Sequence, residues 1–254
     1  MTTHALSDTG VLTGRSLRHI LRSPDTIITT AVTPVALMLL FTYVLGGAID
    51  TGSNGSYIDY MLPGILLITI ASGIAYTSYR LFLDMQGGIF ERFQSMPIAR
   101  STVLWAHVLT SLVANIASIV IVVGIALIMG FRTGASPAAW LAVAGILVLF
   151  TLALTWVAII AGLSAKTIDG ASAFSYPLIF LPFISSAFVP TDSMPGPVAW
   201  FAENQPVTSI VNSIRALFSN QPVGNDIWIA LAWLVGILVV AYGFSVVIYR
   251  RKIS

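Results

Sequence analysis

STVLWAHVLTSLVANIASIVIVVGIALIMGF, residues 101–131, runs for 31 residues without a charged side chain, between Arg100 and Arg132. A hydrocarbon core of ~30 Å needs ~20 helical residues at ~1.5 Å each, so this stretch is long enough to span a membrane. Five more uncharged gaps of at least 20 residues lie around it: 26–49, 60–79, 133–165, 170–191 and 227–249. Over all 254 residues, 57% are apolar, only 9% are charged, and the mean hydropathy is +0.91. A soluble chain carries about a quarter charged residues. The protein is integral to a membrane. Long continuous apolar runs, rather than short alternating segments, exclude a β-barrel.

The expected fold is a single all-α membrane domain over 1–254, with six spans near 26–46, 60–79, 103–130, 138–163, 172–190 and 227–249. Lys and Arg favour the cytoplasmic side. With both termini inside, the cytoplasmic segments hold Arg15, Arg18, Arg22, Arg80, Arg92, Arg100, Lys166, Arg250, Arg251 and Lys252. The outside holds only Arg132 and Arg215, while the acids split evenly. Cysteine is absent, which removes disulfides, Cys-bound zinc and redox thiols. The first 25 residues lack an apolar core of signal-peptide length, so no cleavable leader is expected.

Before the first span, residues 10–23 place Arg15, Arg18 and Arg22 on one helical face and Leu17, Ile20 and Leu21 largely on the other. Such a basic amphipathic helix lies in the membrane interface, as an anchor or as a contact for a partner. Ser23-Pro24-Asp25 reads as an N-cap, a first-turn proline and a dipole-matched acid. Two loops exceed what a connection requires. The cytoplasmic one, Arg80 to Arg100, mixes Leu81, Phe82, Met85, Ile89, Phe90 and Phe93 with Asp84, Glu91 and Arg92 around a Gly87-Gly88 break. That pattern suits either a lipid surface or a groove on another protein. The external one, Thr191 to Asp226, carries Val207, Ile210, Val211, Ile214, Leu217 and Phe218 on one face, opposite Thr208, Asn212, Arg215 and Ser219. Such a helix is expected to be interfacial or to dip into the outer leaflet. Pro195, Pro197, Val198, Trp200 and Phe201 suggest a second short element with an aromatic anchor.

The chain shows no energy source of its own. Every Asp, Glu, Lys and Arg falls at a span end or in a loop, leaving only His107 inside a span. Ion-coupled carriers mark their pathways with buried charge. Gly162-Leu163-Ser164-Ala165-Lys166-Thr167 has Ala165 where a phosphate loop needs glycine, and it follows a membrane span rather than a strand. His107 and Ser111 share a helical face but lack a glycine-framed nucleophile loop, so the pair is a poor hydrolase. His4 and His19 precede the first span and leave His107 without a second haem ligand. What remains is a membrane domain that is passive or driven by another chain.

The stretch Glu91-Arg92-Phe93-Gln94-Ser95-Met96-Pro97-Ile98-Ala99-Arg100 resembles the loop after the second span of type-2 ATP-binding-cassette exporter permeases, above all the daunorubicin-resistance group. Ser185-Ser186-Ala187-Phe188-Val189-Pro190, Met194-Pro195-Gly196 and Asn204-Gln205-Pro206 are similar to that group's segment between the last two spans. Leu17 to Pro24 and Tyr60-Met61-Leu62-Pro63-Gly64-Ile65 also fit, so the likeness covers almost the whole chain in register. It implies a permease in the plasma (inner) membrane, paired with a second copy or a related permease, and with two separate ATPase subunits. It implies outward movement of hydrophobic drugs, antibiotics or lipids. Polysaccharide or glycolipid export is the alternative within the family, and a self-contained carrier or channel the alternative outside it. ATP and Mg are expected on the partner ATPase, no cofactor on this chain, and no nucleic-acid partner.

Carried over, the resemblance makes Met85, Phe90, Glu91, Arg92 and Phe93 candidates for coupling to the ATPase, with Arg15 and Arg18 secondary. Gln94 departs from the pattern, standing where a basic residue is frequent. The family's external re-entrant helices map onto Pro195 to Phe218. Aromatic content alone nominates Tyr43, Tyr76, Phe180 and Phe183 for a substrate path. Pro34, Pro177 and Pro182 are expected to bend the first and fifth spans, for ordinary packing or to shape that path.

Overall fold

A computed structural model describes residues 24–47, 49, 56–87 and 101–253. All regular structure among them is helical. The interfacial helix expected over 10–23, and the Arg80–Arg100 loop beyond Gly87, lie outside the described residues.

Helix α1, Pro24–Leu39, runs into a wide π-helical turn, Leu40–Leu45. Pro34 sits inside α1 without interrupting it. Then follow α2 (Tyr57–Gln86), α3 (Ser101–Ile128) and α4 (Pro137–Ser164). The last helix, α9, is Asp226–Ile253. Four helices are long and apolar enough to cross a membrane: Tyr57–Gln86, Leu104–Ile128, Pro137–Ser164 and Asp226–Lys252. Ala31–Leu45 and Ile168–Ile184 are shorter apolar helices. Ser136 caps α4 by accepting from the Ala139 N–H at 3.2 Å, with Pro137 in the first turn.

The boundary of α2 corrects the sequence expectation. It continues to Gln86, so Leu81 and Phe82 are buried in the bundle rather than placed on a loop. Nothing in 80–86 breaks a helix, and Leu81 gains a packing site beside Gly162, where an added Cβ would lie 3.2 Å from its side chain. The chain leaves the helix only at Gly87.

The fifth span, expected as one helix over 172–190, is broken into α5 (Ile168–Ala173), α6 (Ser175–Phe180) and a tight 3-10 turn, Leu181–Ile184. Pro177 and Pro182 each remove a backbone donor from this stretch, and Pro182 stands in the first turn of the 3-10 segment. Two short helices follow, α7 (Gly196–Asn204) and α8 (Pro206–Phe218).

The helix order sets two ends. Asp84 against His107, and Trp105 and Tyr242 against Trp156, gather the C-terminal halves of α2, α4 and α9 with the N-terminal half of α3. This is the Gln86 end. At the opposite, Tyr57 end, the Arg132 N–H donates to Asp59 Oδ1 at 3.2 Å, and Thr133 Oγ1 donates to the Phe218 carbonyl at 2.7 Å.

Helix α2 forms the centre, with 72% of its most apolar window buried against 17% for α9. Within lipid, apolar side chains gain little by leaving one hydrocarbon for another, so close backbone approach and interhelical hydrogen bonds carry the packing. Both occur here. Gly162 of α4 rests on α2, where an added Cβ would lie 2.8 Å from the Ser78 carbonyl. Gly73 of α2 leaves room for Asn115 of α3, whose amide would collide with a Cβ at that position. Beside them Thr77 donates to Ser111 Oγ at 2.9 Å, and Ser111 Oγ and Thr155 Oγ1 lie 3.2 Å apart. This buried polar seam joins α2, α3 and α4.

Candidate functional site

An aromatic cluster occupies the Tyr57 end where α1, α2 and the broken fifth segment meet. The π-helical turn presents Phe41, which stacks on Phe188 at 4.8 Å between ring centroids. Phe188 stacks in turn on Phe183, also at 4.8 Å. Phe180 adds an outer ring 6.1 Å from Phe183 and is 61% exposed. From α2, Tyr57 donates its hydroxyl to the Phe188 carbonyl at 3.0 Å, anchoring the chain just after the broken segment. Tyr43 projects from the same π-helical turn and is exposed.

The cluster is aromatic and rich in carbon, with Phe188 buried at its centre and Phe180 open at its edge. Ring faces of this kind take planar or apolar guests by offset stacking and dispersion, without fixed hydrogen-bond geometry. Of the four path candidates, Phe180 and Phe183 are brought together, and Tyr43 lies on the neighbouring turn. Tyr76 is not part of this surface. It lies 16 residues beyond Tyr60 on α2, roughly 24 Å along the axis. There it packs on Tyr79 and under the Arg80 guanidinium, 5.7 Å from its ring centroid. Phe41, Tyr57 and Phe188 were missed by the sequence reading. The three-residue spacing of Tyr57 and Tyr60, which puts both on one helical face, was the available signal for one of them.

Next to the cluster, α8 departs from expectation. Its apolar face is buried as the spacing required, but most of its polar face is covered as well. Thr208 Oγ1 accepts from the Ser186 N–H at 3.3 Å and donates to the Ala202 carbonyl at 2.5 Å. Asn212 Oδ1 accepts from Ser186 Oγ at 2.8 Å. Arg215 lies over the Tyr60 ring, 3.7 Å from its centroid, and donates to the carbonyls of Tyr60 and Ser186 at 3.1 and 2.7 Å. The polar stripe reads as solvent-facing in sequence because its partners are backbone carbonyls, which every residue has. Burial pushes the Arg215 guanidinium below its ordinary pKa, while the hydroxyls of Tyr60 and Tyr57, when ionised, pull the other way.

At the Gln86 end, Met85 is half-buried against an apolar cluster that includes Leu81, Leu104 and Leu163, on the last turn of α2 rather than on the loop. The other coupling candidates, Phe90, Glu91, Arg92, Phe93, Arg15 and Arg18, lie outside the described residues. His107 Nε2 stands 3.1 Å from Asp84 Oδ2. Ser111 is engaged instead with Thr77 and Thr155, so His107 and Ser111 serve different partners and form no catalytic pair. Gly162 is buried, and Thr167 spends its hydroxyl capping α5 by accepting from the Gly170 N–H. Neither is free to cradle a phosphate.

Comparison with known proteins places these features in a family. The chain is 26% identical over 236 residues to the daunorubicin resistance ABC transporter permease protein DrrB1 of Streptomyces coeruleorubidus, covering 90% of this chain and 81% of the relative. It is 24% identical over 249 residues to the probable doxorubicin resistance ABC transporter permease protein DrrC of Mycobacterium tuberculosis, covering 97% and 89%. The model of the ABC-2 type transporter family matches residues 7–219, which takes in the broken fifth segment and all of α7 and α8. The chain belongs to the ABC-2 type transporter family.

Proposed function

We propose that this chain is the membrane subunit of an ATP-driven exporter, moving hydrophobic compounds such as drugs, antibiotics or lipids outward. The carrying observation is the aromatic cluster of Phe41, Phe180, Phe183 and Phe188, half-open at the edge of the bundle. Its ring faces suit planar or apolar guests. The relatives' names, which concern daunorubicin and doxorubicin resistance, point the same way.

In this reading α1 with its π-helical turn and the broken segment Ile168–Ile184 complete six spans with the four long helices. The Gln86 end faces the cytoplasm with both termini, in line with Arg80, Lys166, Arg250, Arg251 and Lys252 gathered there. Helices α7 and α8 are re-entrant from outside. Two permeases pair, and two ATPase subunits carrying ATP and Mg grip Met85, Phe90, Glu91, Arg92 and Phe93, aided by Arg15 and Arg18. ATP-driven closure of the ATPase subunits favours the outward state because their grip contacts the two states differently.

Purification from native membranes in gentle detergent, with the co-purifying chains identified by mass spectrometry, tests this directly. A stoichiometric P-loop ATPase is expected. A folded, oligomeric preparation without one would sink the reading in favour of a self-contained carrier or channel.

A further inference from the structure

Arg215 is a cation turned inward with no carboxylate among the described residues within ion-pair distance. Its partners among the described residues are neutral: the carbonyls of Tyr60 and Ser186, the amide oxygen of Asn212 at 3.1 Å, and the π face of Tyr60. These groups belong to three separate elements: the first turn of α2, the chain after the broken fifth segment, and α8. An arginine fork matches such a set because its donors point in several fixed directions at once. Dipoles and a ring hold a cation less firmly than a carboxylate would, so the joint is strong enough to close and weak enough to release.

A second observation places this joint at a seal. Beneath it α2 and the 185–188 segment touch so closely that a Cβ on Gly64 would lie 2.6 Å from the Ala187 Cβ. Ser185 and Ala187 are fully buried there, and the Tyr57 hydroxyl holds the Phe188 carbonyl on the other side. Opening the Tyr57 end between α2 and this segment would part these contacts.

We propose that Arg215 is the bolt of this seal: it keeps the Tyr57 end shut in the resting permease and lets go when the outward state forms. The proposal rests on the exporter reading for its place in the cycle, while the seal itself stands on geometry. Arg215 acts here as a positioning residue, since it touches the gate and not the aromatic surface.

The chain contains no cysteine, so introduced thiols report without background. In nanodiscs, Ser185→Cys is expected to react slowly with a charged maleimide in the parent protein. In the Arg215→Gln background the rate should rise roughly tenfold, as loss of charge-assisted hydrogen bonds allows, with Arg215→Lys intermediate. Equal rates in parent and Arg215→Gln would overturn the proposal. A second variant keeps Arg215 intact and ties α2 to the 185–188 segment, pairing Tyr60→Cys with Ser186→Cys, residues whose carbonyls meet at one Arg215 nitrogen at 3.1 and 2.7 Å. With the ATPase present, oxidation of this pair should stop transport and reduction should restore it; full transport while cross-linked would also overturn the proposal. A parent protein that moves nothing with its ATPase defeats the exporter reading instead, and the labelling rates still decide the seal.

Discussion

Asp84 on α2 and His107 on α3 meet at 3.1 Å, clasping the two helices at the point from which the 88–100 segment connects them. Whatever pulls on that connection acts first on helices already tied together. The clasp is partly exposed, at 14% for the His107 side chain and 31% for Asp84. Its worth is therefore that of a screened contact rather than a buried ion pair.

A double-mutant cycle measures it. Asp84→Asn and His107→Gln should show a coupling of about 0.5–1 kcal/mol in thermal stability. Strict additivity would show that the contact contributes nothing.

Glycines at the helix crossings should separate by what they face. A Cβ at Gly162 meets the Ser78 carbonyl, a backbone atom of the central helix, and Gly162→Ala should cost about 1–3 kcal/mol. Gly73→Ala meets the Asn115 amide, which donates to the Ser111 carbonyl at 2.9 Å and cannot swing freely. Truncation of Asn115 to alanine should rescue Gly73→Ala and leave Gly162→Ala unchanged. Melting temperatures in detergent decide both; rescue of both variants alike would mean that the clash is not local.

The aromatic surface should divide into fold and function. Phe180→Ala removes an exposed ring and should change the range of compounds transported while leaving the melting temperature nearly unchanged. Phe183→Ala removes a ring stacked on Phe188 and should lower stability as well, by about 1–3 kcal/mol. Resistance profiles across several compounds, read beside thermal melts, check the pair. An unchanged profile for Phe180→Ala would remove it from the path.

The proposed grip on the ATPase is tested by Glu91→Ala and Phe90→Ala. Both variants should insert in the membrane at parent levels, yet lose substrate-stimulated ATP hydrolysis about fivefold or more, the low end of a typical coupling energy. Parent-like stimulation in both would take the segment out of the mechanism.

Membrane placement and long-helix register were legible in the sequence because they depend on quantities that add along the chain. Residues 101–131 lack charge over a length that crosses a bilayer, and no distant contact alters that sum. Local chemistry was equally readable at Gly87, where α2 ends, and at Pro206, where α8 begins. The role proposed for 91–100 rests on its likeness to a family. What the tertiary structure alone decided depends on pairs far apart in sequence. Leu81 stays helical because Gly162 makes room for it, and the Tyr57 hydroxyl finds a carbonyl 131 residues away. Arg215 turns inward because the Tyr60 ring and the carbonyls of Tyr60 and Ser186 converge on one point. Backbone carbonyls carry no signature in a sequence, so a polar stripe bound for them looks the same as one bound for water.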